Sequence, residues 1–94
     1  MGNRFLVHRS GDSVGVAVED IPSDQIAHGV VQENGDIVEV RAIDPIPLGH
    51  KIALRDIEAG AQVIKYGVPI GVATRPIKAG QHVHTHNLKS ARWA

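Results

Sequence analysis

The chain has 94 residues, with ten basic residues (Lys and Arg) against ten acidic ones, six histidines and no cysteine. This length predicts one domain over residues 1–94, and the balanced charge argues against a nucleic acid or an anionic membrane as partner. The lack of cysteine excludes disulfides and thiolate metal sites, and the N-terminus has no apolar run typical of a signal peptide or membrane span, so we expect a cytoplasmic protein.

The first half of the chain is predicted to form short β-strands. Four are expected, over residues 5–8, 13–18, 29–33 and 36–42. Gly11 supplies a turn between the first two, and Asn34-Gly35 is a strong hairpin signal between the last two. The strand over 36–42 is expected to be mostly buried, and residues 23–28 could form one helical turn at most.

The second half continues in the same way. Further short strands are expected over residues 50–54, 62–66, 69–73 and 82–86. Five prolines and ten glycines divide the strands, and no ten-residue window has a helical pattern. An all-β fold, either a small barrel or a folded hairpin, is therefore predicted.

An internal repeat links two parts of the chain. Residues 42–57 align with residues 73–88 at a constant offset, and a shorter third copy covers residues 57–63. Each copy reads Ile, two residues, Gly, two residues, then Val or Ile, which predicts a buried anchor, a glycine turn and entry into a strand. The last two histidines of the second copy match Ala53 and Arg55 of the first, so the scaffold does not require histidine there.

Three histidines, His82, His84 and His86, occur at every second residue near the end of the chain. In one extended strand they share a face, and two neighbours, with Cα atoms about 6.5–7 Å apart, could bind one metal ion. The span of all three is too long for a single ion unless the strand bends, so these candidate metal ligands need help from elsewhere. The candidates for a further ligand are His50, His8, Asp56 and a partner chain.

Proton transfer is the alternative use of these histidines. His84 and His86 could titrate near neutral pH and are the candidate catalytic residues. Lys51, Lys65 or Arg55 could hold the carboxylate of a substrate. The chain has no phosphate-binding loop and no recognisable nucleophilic serine motif.

Several patterned segments run through most of the chain: residues 11–18, 49–57, 63–67, 69–74 and 80–88. Together they resemble the SAF domain, and more narrowly the N-terminal module of the altronate and galactarate dehydratase family. The resemblance implies a β-clip fold, in which a long bent hairpin folds over itself. It also implies an association with metal-dependent lyases, usually iron(II) enzymes, that eliminate water from sugar acids.

The resemblance implies binding roles and a partner as well. The positions that match the family's polar pattern are His50, Lys51, Lys65, His84, His86 and Asn87. Of these, we expect His50, Lys51, Lys65 and Asn87 to bind substrate. Most members are fused to a larger catalytic domain, whereas this chain resembles the stand-alone small subunits of two-part lyases, including those acting on sulfolactate. We therefore expect a separate large catalytic subunit that holds most of the iron(II) or other divalent metal. The substrate would be a hydroxy-carboxylate such as altronate, galactarate or sulfolactate, and a homo-oligomer is a further option.

The alternative is a non-catalytic SAF-type binding or assembly module. Domains of this type also occur in ice-binding and pilus-assembly contexts. A row of imidazoles and lysines does not suit a flat, apolar ice-binding face, but an assembly or regulatory role stays open.

Overall fold

In a computed structural model, which describes residues 3–90, the chain forms nine β-strands and no helix within those residues. The strands are β1 Phe5–Val7, β2 Val14–Ala17, β3 Ile26–Val31, β4 Ile37–Arg41, β5 Lys51–Ala53, β6 Gln62–Lys65, β7 Val68–Ala73, β8 His82–Val83 and β9 Leu88–Ser90. The predicted all-β fold is confirmed. The described residues contain no helix that is long and apolar enough to cross a membrane.

The strands form two curled sheets that make a half-barrel. One sheet has six strands in the order β4-β3-β1-β2-β5-β8, and the other has three in the order β6-β7-β9. The β1–β3 pair is parallel, and the other strand pairs are antiparallel. The Asn34-Gly35 hairpin joins β3 to β4 as predicted, with Val30 opposite Ile37 and Gly35 at a positive φ of 78°.

The internal repeat organises this architecture, and it has four copies. We number them copy 1 (residues 17–24), copy 2 (42–49), copy 3 (53–60) and copy 4 (73–80). Each begins with a buried Ala, has a buried Ile four residues later, and ends in a residue with positive φ. Copy 1 does not match the sequence pattern of the repeat, because Asp24, with φ of 65°, occupies the position where the other copies have Gly.

The copies pair reciprocally, copy 1 with copy 2 and copy 3 with copy 4. The central isoleucines form isolated antiparallel bridges, Ile21 to Ile46 and Ile57 to Ile77. In each pair, the last residue of one copy donates its backbone N–H to the first alanine carbonyl of the other. These bonds are Gly49 to Ala17 (2.8 Å), Asp24 to Ala42 (2.6 Å), Gly60 to Ala73 (2.8 Å) and Gly80 to Ala53 (2.8 Å). The fold is therefore built from two similar crossed units.

Two apolar clusters fill the interior. The first surrounds Phe5, which is fully buried and lies so close to Gly29 that a Cβ there would overlap its ring. The second is formed mainly by the second half of the chain and includes Val63 and Val83, also fully buried. Val14 belongs to the second cluster although it lies on β2, so this strand links the two clusters.

Three sequence predictions are wrong in detail. The strand over 82–86 ends at Val83, and residues 84–87 form a bend and a turn that leads into β9. The strand over 36–42 is mostly exposed because β4 is an edge strand, and Ile37 is 60% exposed. The strand predicted over 29–33 begins earlier, as β3 at Ile26, while residues 23–28 contain no helix, within the expected limit of one helical turn.

Candidate functional site

The pairing of β5 with β8 brings distant histidines together. These strands are antiparallel, with Lys51 opposite Val83. His50 immediately precedes β5 and His84 immediately follows β8, so continuing the register by one residue places them opposite each other. His82 lies two residues before His84 on the same face. Three imidazoles are thus collected at one end of a short two-stranded ladder.

The three rings are in contact. The His50 Nδ1 and His82 Nε2 atoms are 2.8 Å apart and form a hydrogen bond, so one nitrogen carries a proton and the other offers a lone pair. The ring centroids of His50 and His84 are 4.5 Å apart, and those of His82 and His84 are 5.6 Å apart. His86 extends the cluster on the other side, with its ring centroid 5.3 Å from that of His82.

Asn87 holds the turn that presents His84 and His86. Its side chain is buried, its Oδ1 accepts the backbone N–H of His84 at 2.9 Å, and its Nδ2 donates to the His82 carbonyl at 2.8 Å. The Asn87 and Leu88 backbone N–H groups both donate to the His84 carbonyl. The amide therefore fixes the positions of the histidines, and its predicted contact with substrate stays a prediction.

Protonation of His82 and of His84 is disfavoured. Partial burial is the main cause that lowers the pKa of His82 below 6.5. The neighbouring His50, His86 and His84 lower this pKa further, while the Asp44 carboxylate raises it. The side chain of His84 is exposed overall, yet desolvation of its ring is the main cause of its lowered pKa, with His50, Lys51 and His86 adding to it. At His82 and His84 the neutral imidazole, which can bind a metal or accept a proton, is thus favoured near neutral pH.

A groove of about 570 Å³ opens beside the cluster. Its walls combine basic, aromatic, hydroxyl and apolar side chains: Lys51, Lys65, Tyr66, Ile70, His84, Thr85, Leu88 and Ser90. Among the described residues no carboxylate lines this groove. Burial, and then the charge of Lys65, lower the pKa of Lys51. Two amines and an imidazole therefore face one space with no internal counter-ion in its lining, an arrangement suited to an anionic ligand.

Asp12, two residues before β2, anchors the turn that carries Lys65 and Tyr66. The buried Asp12 carboxylate accepts the backbone N–H groups of Tyr66 and Gly67, each at 3.0 Å, and that of Arg9 at 3.2 Å. These bonds stabilise Tyr66 at a positive φ of 57°, which is unusual for a residue other than Gly. The sequence did not point to Asp12, because two of its three partners, Tyr66 and Gly67, lie more than fifty residues away.

The remaining predicted site residues lie outside the groove and the imidazole cluster. Arg55 donates from Nη2 to the Ser13 hydroxyl at 3.2 Å. His8 stacks on Tyr66, with 3.8 Å between ring centroids. Asp56 accepts the Ala79 backbone N–H at 2.9 Å. Of the proposed further metal ligands within the chain, the structure brings His50 alone to the other histidines.

The donor set of the cluster fits a divalent metal ion. His50, His82 and His84 each offer a ring nitrogen, and these atoms all lie within 4.8 Å of one another. Within residues 3–90 this is the one group of three or more such side chains. Imidazole nitrogen is a common ligand for zinc, copper, iron and nickel. The group within this distance contains His50 rather than His86, and metal binding by the predicted set of His82, His84 and His86 stays a prediction.

Comparison with known proteins shows which sequences the chain is similar to. The model of the altronate/galactarate dehydratase SAF domain matches residues 3–91. The chain is similar to the (2R)-sulfolactate sulfo-lyase subunit alpha of Chromohalobacter salexigens, with 42% identity over 95% of this chain and 96% of that subunit. It is also similar to the altronate dehydratase of Bacillus subtilis, with 39% identity over 92% of this chain but only 16% of that enzyme. The altronate dehydratase of Escherichia coli is 45% identical over 84% of this chain and 15% of its own length.

Proposed function

Because the chain belongs to the altronate/galactarate dehydratase SAF domain family, we propose that it is the small subunit of a two-part lyase acting on a hydroxy-carboxylate. Its length matches that of a sulfo-lyase alpha subunit almost completely, whereas it spans about a sixth of the altronate dehydratases. The rest of the catalytic machinery would then lie on a separate large subunit, which would also hold most of any divalent metal. A cytoplasmic location stays a prediction.

The groove is the observation that carries the proposal. Lys51 and Lys65 line it together with His84, and no carboxylate of the described residues offsets their charge there. A substrate carboxylate placed between the two amines would gain charge-assisted hydrogen bonds. The hydroxyl groups of a sugar acid, or the sulfonate of sulfolactate, would meet the polar side chains of Thr85 and Tyr66.

The same groups suit the chemistry of β-elimination. Loss of water or sulfite requires a base at the carbon next to the carboxylate and an acid at the leaving group. His84 borders the groove, and its lowered pKa favours the neutral imidazole that accepts a proton. His86, two residues after His84 in the same turn, is the second candidate for proton transfer. The amines would stabilise the negative charge that develops on the carboxylate as the proton leaves.

Replacement of the equivalent part in two relatives tests this proposal. We would substitute the chain for the alpha subunit of the C. salexigens sulfo-lyase and, separately, for the matching N-terminal segment of B. subtilis altronate dehydratase. Sulfite release from (2R)-sulfolactate, or dehydration of altronate, is then measured. We expect turnover in at least one setting and none from the isolated chain, because the groove formed by its described residues is open rather than closed.

Lysine variants separate a groove function from a scaffold function. Lys51→Ala and Lys65→Ala should raise KM about tenfold or more, because each removes a charged partner of the carboxylate. Lys78→Ala is the matched control, since this exposed lysine lies outside the groove lining. Assembly without turnover in both settings would favour the non-catalytic binding module. Turnover that is indifferent to both groove lysines would contradict the substrate site.

A further inference from the structure

We propose that His50, His82 and His84 bind one divalent transition-metal ion as three nitrogen ligands. The chain thereby contributes a metal centre of its own, beyond the substrate groove and beyond any metal held by a large subunit. The proposal does not depend on the identity of the substrate or on the lyase reaction, because it concerns ligands that this chain alone supplies.

The spacing of the nitrogens is close to that of a metal site. Around an ion with metal–nitrogen distances of about 2.1 Å, tetrahedrally arranged ligand atoms lie about 3.4 Å apart. The hydrogen-bonded nitrogens of His50 and His82 are 2.8 Å apart, and the widest separation within the set is no more than 4.8 Å. An ion could enter after side-chain adjustments of roughly 1 Å. It would displace the proton that the two rings now share.

The surrounding structure holds these ligands in place. His50 and His82 are half-buried and flank a two-stranded ladder, while the buried Asn87 amide bonds to the backbone on both sides of Val83. The backbone N–H of His82 also donates to the Asp44 carboxylate at 3.0 Å. A site whose ligands are fixed before binding loses less conformational entropy when the ion arrives.

The position of His84 connects this site to the groove. His84 belongs to the three-imidazole set and also lines the groove beside Lys51. Three protein ligands leave a four-coordinate ion with one open position, as in catalytic rather than structural sites. When bound, the metal would supply Lewis acidity near the ligand space. With His84 engaged as a ligand, His86 remains as the imidazole available for proton transfer.

Cobalt(II) titration of the full chain tests the site. Co²⁺ is a suitable probe because its visible absorption reports nitrogen coordination and low coordination number, and calorimetry gives the stoichiometry. We expect one ion per chain with a dissociation constant of about micromolar. Loss of one ligand should weaken binding about tenfold or more, since even outer-shell changes have effects of that size. The variants to compare are His50→Ala, His82→Ala and His84→Ala.

Two further histidine variants serve as controls. His86→Ala removes the histidine that the sequence alone favoured as a ligand, and His28→Ala removes a distant imidazole that pairs with Glu39 at 3.0 Å. Both should change the affinity less than threefold. Circular dichroism of each variant establishes that it is folded, and His84→Ala is the decisive one because its exposed side chain is least needed for folding.

The outcomes are separable. No saturable Co²⁺ binding up to millimolar concentration would overturn the proposal, as would binding that His28→Ala weakens as much as His84→Ala does. Co²⁺ binding that survives His50→Ala but is lost in His86→Ala would overturn the proposal. The ligands would then be the three histidines favoured by the sequence: His82, His84 and His86. If the chain binds Co²⁺ but neither of the two substituted enzymes of the previous subsection converts its substrate, the lyase proposal is refuted while the metal site stands.

Discussion

Replacing Asp12 with Asn should loosen the turn that presents Lys65 and Tyr66 to the groove. The carboxylate of Asp12 is 3% exposed and accepts three backbone N–H groups. One of its oxygens accepts from Arg9 and Tyr66, and the other accepts from Gly67. An amide of the same shape keeps one acceptor oxygen but turns an NH₂ group toward the remaining N–H, so at least one bond is lost.

The size of the effect follows from the type of bond. Hydrogen bonds to a charged group contribute about 1.5–3 kcal/mol each, and an amide cannot replace the charge. With the amide oxygen placed where it keeps two bonds, we expect the free energy of unfolding to fall by about 2–3 kcal/mol. In a domain of this length, that corresponds to a melting temperature lower by roughly 10–20 °C.

Thermal melts and amide hydrogen exchange measure the two parts of this prediction. The N–H groups of Tyr66 and Gly67 should exchange faster in Asp12→Asn, because they lose their buried acceptor. Asp36→Asn is the matched control, since it removes a carboxylate from the exposed β3–β4 connection and should change stability by less than about 0.5 kcal/mol. Equal melting temperatures and unchanged exchange in the two variants would show that the carboxylate does not hold the turn.

Three further predictions concern the repeat and the histidines. Gly80→Ala should destabilise the protein by several kcal/mol more than Gly60→Ala: both have positive φ, but only at Gly80 would a Cβ overlap a neighbouring backbone carbonyl. Comparable melting temperatures would contradict the close approach at Gly80. His84→Ala and His86→Ala should each leave the melting temperature nearly unchanged while lowering turnover of an active chimera about a hundredfold; early melting with activity lost in proportion would make both residues structural. Because the folded-state pKa values of His82 and His84 lie below 6.5, the unfolded chain binds more protons below that pH. The free energy of unfolding should therefore fall as the pH drops below about 6.5 toward the lowered values, and His84→Ala should reduce this pH dependence, whereas unchanged pH dependence would refute the assignment.

The sequence predicts the strands and the repeat well where the signal is local. The turn glycines, the Asn34-Gly35 hairpin and the alternation of Val and Ile are short-range patterns, and the corresponding strands are present within residues 3–90. Copy 1 is missed because Asp24 adopts the positive φ that Gly adopts in the other copies. Asp tolerates this conformation better than most residues, so a search for glycine alone does not find it.

The imidazole cluster could be predicted only in part. Periodicity singled out His82 and His84, whose rings the structure brings together, but it did so for an extended strand that ends at Val83. The bend depends on the Asn87 amide, which bonds to His84 and to the carbonyl of His82. The contact of His50 with His82 joins residues 32 positions apart, and it depends on which strands pair. Local sequence patterns do not determine that pairing.

Strand pairing, rather than position in the repeat, decides where the imidazoles meet. His84 stands four residues after the final glycine of copy 4, and His28 stands four residues after Asp24 of copy 1. His28 lies on β3 beside the edge strand β4, where its side chain pairs with the Glu39 carboxylate at 3.0 Å. His84 instead follows β8, which pairs with the strand leaving copy 2, so that His50 arrives from the opposite direction. Copies 1 and 3 lead into strands of different sheets and bring no such side chains together. A duplicated scaffold can thus acquire a site where two of its exit strands meet, without any change in the repeat that folds it.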